Sequence, residues 1–241
     1  MNPALFRRTE PTYTLPAGAV GIYDFVYDPA NPQRLTDLSG NGNHGQLGST
    51  SGADTDDPAW GPDGYGLIFD AIDDFVSLPL ALGNLSTYTY ICAVEQLSFL
   101  SRRLIIGGSR TDGSVRNGLS VITGGMLELD NYLPSGGALA TPRTLVQNGN
   151  QCVVAVRQSA GTNRAIFWNR LKMAEDSAPE TYGGGAIDAF RLGRRSGSTA
   201  DKFHARYDYS VIYNRALMDE EYLQAYLYIR QEMKKRGRRL P

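Results

Sequence analysis

Cysteine is scarce: the 241 residues hold two, Cys92 and Cys152, each inside an apolar run, YICAV and QCVVAV. That number excludes a disulfide-dense scaffold, which draws on several bridges. Both are expected to be buried as small hydrophobes, although adjacent strands could bring them within bonding distance. Long apolar runs are missing too, so no segment reads as crossing a bilayer, and the opening MNPALFRRTEPTYTLPAG lacks the sustained apolar core of a signal peptide. An excess of one charge is also missing. Lysine and arginine number 24 against 25 aspartates and glutamates, a net charge of −1, so nothing draws the whole surface toward nucleic acid or an anionic membrane. There is no internal repeat, no Gly-x-Ser-x-Gly elbow, no phosphate loop and no HExxH zinc helix.

What is present reads as many short strands. Hydrophobic residues make up 41%, enough for a core, and 27 glycines with 12 prolines supply turns. Strands are expected over residues 20–26, 67–70, 75–78, 87–96, 104–107, 119–123, 126–132, 151–157, 164–168 and 190–193. The closing stretch changes period. Phe203, Ala205, Tyr207, Tyr209, Val211 and Tyr213 alternate with polar residues, which predicts one face of a strand. From Asp219 the apolar residues recur at Tyr222, Leu223, Tyr226, Leu227, Ile229 and Met233, a helical stripe over 219–236 with acids at its start and bases at its end. Gly237 is placed to close that helix in the left-handed conformation. The pattern predicts an all-β, antiparallel two-sheet sandwich over residues 19–237 with one C-terminal helix. Residues 1–18 read as an extended arm and 238–241 as a basic tail, solvated or docking a partner.

Three stretches carry a resemblance. YDYSVIYNRALMDEEY, Asp37-Leu-Ser-Gly-Asn-Gly-Asn-His-Gly45 and Gly66-Leu-Ile-Phe-Asp-Ala-Ile-Asp-Asp-Phe-Val-Ser-Leu78 resemble, in order, motifs of the laminin-G-like domains of the concanavalin A-like jelly-roll superfamily. The resemblance implies that jelly roll, a tight turn at 37–45, and a hairpin turn at 71–74 in which alanine stands where relatives often have glycine. It also implies one structural calcium ion, held by Asp208 on the last strand with Asp24 nearby. A calcium role for the acidic loop Asp54, Asp56, Asp57 and Asp63 is open, but the reading preferred is a surface loop. His44 has no partner at ligand spacing and is read as part of its turn.

Glycosidases of this superfamily carry two or three carboxylates at alternating positions of one strand. The nearest match is Glu128-Leu-Asp130-Asn-Tyr132-Leu133, which lacks the second catalytic acid, so Glu128 and Asp130 are read as solvent-facing and the chain as non-catalytic. Binding is the stronger expectation. Sugar sites stack aromatic rings on pyranose faces, and Trp60, Tyr65, Tyr132, Trp168 and Tyr182 stand in or beside loops where such a site would form. By likeness to accessory virion proteins of tailed bacteriophages, the expected setting is a virion, with the arm or basic tail docking structural subunits, the loops meeting cell-surface glycan, and a homo-oligomer as one form. Alternatives are a cellular lectin or carbohydrate-binding module in the cytoplasm, a glycoside hydrolase with a nonstandard site, and a purely structural protein.

Overall fold

Short alternating runs separated by residues that tolerate tight turns leave little room for helices, and the chain folds accordingly. A computed structural model describes residues 11–83, 86–98, 103–110, 116–132, 139–141, 146, 149–159, 162–177, 187–194 and 202–241. Its strands are β1 (Ala19–Tyr23), β2 (Arg34–Leu35), β3 (Gly45–Leu47), β4 (Ala59–Trp60), β5 (Leu67–Asp70), β6 (Val76–Leu78), β7 (Tyr88–Gln96) and β8 (Arg103–Ser109). They continue as β9 (Arg116–Ile122), β10 (Met126–Tyr132), β11 (Leu139–Ala140), β12 (Gln151–Ser159), β13 (Asn163–Trp168), β14 (Leu171–Asp176), β15 (Ala189–Leu192) and β16 (His204–Tyr213). One α-helix, α1 (Asp219–Lys235), follows.

The strands form two antiparallel sheets. One runs β14-β13-β12-β7-β16-β5-β4, with β1 also paired to β16; the other runs β11-β10-β9-β8-β15-β6-β3-β2. Large side chains from both inner faces, among them Phe69, Tyr90, Val154, Phe190 and Tyr207, fill the space between the sheets. This is the antiparallel two-sheet sandwich that the patterning predicts, with the jelly-roll form that the resemblance implies. Cys92 and Cys152 are buried, free thiols in it, and burial pushes both up to about 12.

A second apolar layer lies outside the first sheet. Ile91, Ala155, Phe167, Val211 and Tyr213 on that sheet's outer face meet Tyr222, Tyr226, Ile229 and Met233 of α1, and the rings of Phe167 and Tyr222 stack at 4.2 Å. The helix begins where Glu221 accepts from the Met218 amide at 2.9 Å and pairs with Arg215 at 2.7 Å. It ends as expected: Gly237 has φ 73°, its amide donates to Lys234 O at 3.1 Å, and the Arg238 amide donates to Met233 O at 2.9 Å. These two bonds are a Schellman closure.

The closing strand departs from its predicted phase. β16 and β7 stay in register except between Tyr207 and Tyr209, where Asp208 is inserted as a bulge. An extra residue flips every later side chain to the opposite face. Phe203, Ala205 and Tyr207 therefore point between the sheets, whereas Tyr209, Val211 and Tyr213 point toward α1. Both chain ends that the structure describes lie on the helix. Gln224 donates to Thr14 O at 2.9 Å, the Tyr13 amide donates to Gln231 at 3.2 Å, and Tyr213 OH donates to Pro16 O at 3.2 Å. At the other end Leu240 is buried in the helix layer and Tyr226 OH donates to Pro241 O. Residues 11–18 and 238–241, read from the sequence as an arm and a tail, cover the chain's own helix because each brings an apolar residue, Leu15 and Leu240, to that layer.

Candidate functional site

The bulge builds a polar site beyond the C-terminal end of α1. Because Ala205 and Tyr207 point into the core, Arg206 points out, in cross-strand register with Glu95 of β7, which in turn faces Gln151 of β12. Asp208 is 1% exposed; its carboxylate accepts from Arg206 Nε at 2.9 Å and from Gln151 Nε2 at 2.7 Å. Arg206 is itself 7% exposed and spends a second nitrogen on Asp63 at 3.0 Å and on Tyr65 O at 2.6 Å. Arg238 adds a contact of 2.9 Å to Asp63. Burial works against the charge of Asp63, but the hydrogen bond from Arg206 and the two guanidinium charges hold its carboxyl below the usual range. Gly66 permits this crowding: with φ 73°, a Cβ there would stand 2.7 Å from Arg206 Nε and 2.8 Å from Asp208 Oδ1.

Arg236 ties the same region to β1. Its guanidinium donates to the backbone carbonyls of Asp24 and Asp208 and lies 3.5 Å from the Asp24 carboxylate. The charge also sits 5.2 Å from the Tyr65 ring centroid and 5.9 Å from that of Tyr209. Burial raises the Asp24 carboxyl, and Arg236 works against that rise. Asp24 and Asp208, the residues that the resemblance implies for calcium, thus converge on one point, and an arginine stands there.

Beside this network opens a cleft of about 510 Å³, lined among others by Glu95, Asn150, Gln151, Trp168, Arg238 and Arg239. A second cleft of about 530 Å³ shares Arg238 and Arg239 and adds Tyr13, Arg230, Gln231 and Lys234. The first combines an indole wall with a carboxylate, two amides and guanidinium donors.

The sequence-predicted residues scatter relative to this site. Trp168 lines the first cleft, and Tyr65, 36% exposed, lies under Arg236. Trp60 stands on β4, five strand spacings from β13, roughly 24 Å away. It donates to Pro32 O at 2.9 Å and packs edge-on against Tyr27 at 5.6 Å, which reads as a loop clamp. Tyr132 ends β10 in the other sheet, and Tyr182 lies outside the described residues. Arg236 and Arg238 were read from the sequence only as part of a basic chain end, and Glu95, Gln151 and Arg206 were not singled out. The signal for Glu95, Gln151 and Arg206 is cross-strand register, which requires the pairing to be known.

One expectation at the glycosidase-like strand is corrected. Glu128 is 9% exposed rather than solvent-facing, on the outer face of β10 opposite Ser120, which is fully buried. At the 37–45 turn, Asp37 accepts from the amides of Ile22, Ser39 and Asn43, and its own amide donates to His44 Nδ1 at 3.0 Å. His44 thus belongs to the turn. Two acidic groups, Asp54–Asp56–Asp57 and Asp70–Asp73–Asp74, each bring three carboxylates within 4.8 Å of one another. No helix among the described residues is long and apolar enough to cross a membrane.

No family model matches the chain, and no curated protein sequence matches it. Solved structures do share its fold. A Trypanosoma rangeli sialidase in complex with sialic acid superposes with TM-score 0.63 at 16% identity, over 90% of this chain and 34% of that one. The same sialidase with 2,3-difluorosialic acid, a covalent intermediate, gives 0.65 at 16% identity, over 97% and 36%. The chain thus spans about a third of the length of these sialidases. The Ruminococcus gnavus IT-sialidase CBM40 bound to α2,3-sialyllactose gives 0.51 at 22% identity, over 60% of this chain and 83% of that one. At these identities the likeness is one of fold.

Proposed function

We propose that the chain is a non-catalytic glycan-binding module whose site is the cleft bordered by Trp168. The observation that carries this reading is the composition of that cleft: an indole beside Glu95, Asn150, Gln151, Arg238 and Arg239 in about 510 Å³. A pyranose offers an apolar face to a ring and a rim of hydroxyls to amides, carboxylates and guanidinium groups. The neighbours support the reading, since one is a carbohydrate-binding module bound to a sialylated sugar. Against catalysis, Glu95 is the one side-chain carboxylate among the described residues lining the cleft, whereas hydrolysis by paired carboxylates needs two at roughly 5–10 Å.

A glycan array followed by calorimetry tests this. The wild type retains a defined glycan and leaves it uncleaved on long incubation, and Trp168→Ala weakens binding at least tenfold, the loss of a central aromatic contact. Trp168 also packs on the core, so Glu95→Gln, a milder change at the rim, serves as the second variant and is expected to weaken binding severalfold with unchanged melting. Full affinity in both variants, or release of a cleaved product, overturns the reading. For the setting we retain a virion accessory protein; mass spectrometry of purified particles from a producing culture finds the chain there, and its absence from them removes that setting.

A further inference from the structure

We infer that the glycan taken by this site is acidic and that its negative groups lie across Arg238 and Arg239 toward Arg230 and Lys234. This rests on the Trp168 cleft being the binding site and specifies its ligand. Arg238 and Arg239 line both clefts, so a saccharide seated against Trp168 that extends over them enters the second cleft. There the described lining carries four cations, Arg230, Lys234, Arg238 and Arg239, and no carboxylate. Such a concentration is local, because the chain as a whole has a net charge of −1. The field of these cations reaches Tyr226: burial raises its phenol, while Arg230 and Arg170 act against the rise. Arg238 is braced by Asp63 at 2.9 Å, and a guanidinium has five N–H donors, so that contact leaves donors over. Planar guanidinium groups pair with carboxylates and sulfates through two parallel hydrogen bonds, the feature that separates a uronic, sialic or sulfated sugar from a neutral one. Tyr13 and Leu227 complete the lining with apolar surface for the sugar rings.

The test uses the full chain with hyaluronate, chondroitin sulfate, neutral dextran and a single-stranded oligonucleotide of matched charge, at low and high salt. The acidic polysaccharides are expected to bind at least tenfold more tightly than dextran, and more tightly than the oligonucleotide. The double variant R230S/K234S changes two exposed side chains and is expected to lose at least tenfold toward the acidic polymers while keeping its melting temperature. Equal binding of acidic and neutral polysaccharide, with Trp168→Ala still damaging both, overturns the acidic specificity and leaves the cleft assignment standing. Equal binding of the oligonucleotide reduces the surface to a polyanion patch and also overturns it. Failure to bind any saccharide removes the cleft assignment itself.

The oxygens around Arg236 support a separate conclusion: the geometry points to this guanidinium as the cation that joins β1 to β16 in place of a metal ion. Carbonyls of Asp24 and Asp208 and the Asp24 carboxylate are the oxygen types that calcium takes, and all three face Arg236. Both carboxylate oxygens of Asp208 are engaged by Arg206 and Gln151. This donor set, already satisfied, does not fit a calcium ion. Melting curves in EDTA and in calcium chloride are expected to coincide for the wild type, whereas Arg236→Met lowers Tm by about 5 °C or more, one or two lost charge-assisted contacts in a domain of this size. A fall in wild-type Tm with EDTA, or an Arg236→Met variant that melts with the wild type, contradicts it.

Discussion

Two groups of aspartates on the helix-side sheet meet the same electrostatic problem by different means. Around β16, Asp63 and Asp208 are neutralised by guanidinium groups from Arg206 and Arg238, and Asp24 by Arg236. At the turn after β5, Asp74 is 7% exposed, and its described partner is the Asp70 amide at 2.6 Å, with Asp70 and Asp73 as like charges beside it. Burial first, and those charges second, push the Asp74 carboxyl up to about 7. The nearby Arg194 donates to the Asp73 backbone carbonyl, at 3.1 Å. The first group is set against cations that the chain supplies; the second relieves its repulsion with a proton. What separates them is geometry: the bulge at Asp208 and the Schellman end of α1 deliver arginines to one group, and a tight turn cannot do so for the other.

The largest expected effect comes from removing the cation. Arg206→Ala leaves Asp208 charged and buried beside Asp63, and breaking a buried pair from one side costs about 3–5 kcal/mol. Urea unfolding measures it, and a loss under about 1 kcal/mol would mean that water reaches Asp208 and the contrast is false. Next is Asp74→Asn, which distinguishes proton from cation. In the folded chain Asp74 keeps a proton that the unfolded chain gives up near pH 4, so folding takes up a proton between about pH 4 and pH 7 and stability falls as pH rises through that window. Asn keeps an acceptor for the Asp70 amide without the charge. The variant is expected to match the wild type near pH 4 and to exceed it by about 2–4 kcal/mol at pH 8. A gain independent of pH would show that Asp74 stays ionised. The smallest effect is at the same turn: Ala71 sits at φ 66°, and Ala71→Gly relieves left-handed strain worth about 1 kcal/mol, read as a small rise in Tm. No rise would place the strain elsewhere in the turn.

The sandwich was legible because it follows from local rules. Alternation located the strands, glycine and aspartate located the turns, and the stripe from Tyr222 to Met233 with Gly237 behind it defined a helix and its closure. The phase of β16 was not legible, since FHARYDYSVIY reads as unbroken alternation; only pairing against β7 reveals that Asp208 is an extra residue. The site shares that limit. Trp168 and Tyr65 stood out as residue types and Asp24 and Asp208 through the resemblance, but the arginines that organise them come from β16 and from the end of the helix and beyond, and nothing local joins Arg206 to Asp63 or Arg236 to Asp24. Trp60 looked equal to Trp168 in sequence and lies at the opposite edge of the sheet.

That pair of tryptophans, the only two in the chain, provides the most direct measurement. In a Trp60→Phe background Trp168 is the sole indole, so its fluorescence reports on the cleft alone. Titration with the acidic oligosaccharide that an array retains best is expected to change that emission saturably, with a midpoint equal to the calorimetric Kd, and Glu95→Gln is expected to move both together. Binding seen by calorimetry with no change at Trp168 would place the ligand elsewhere on the molecule and contradict the account.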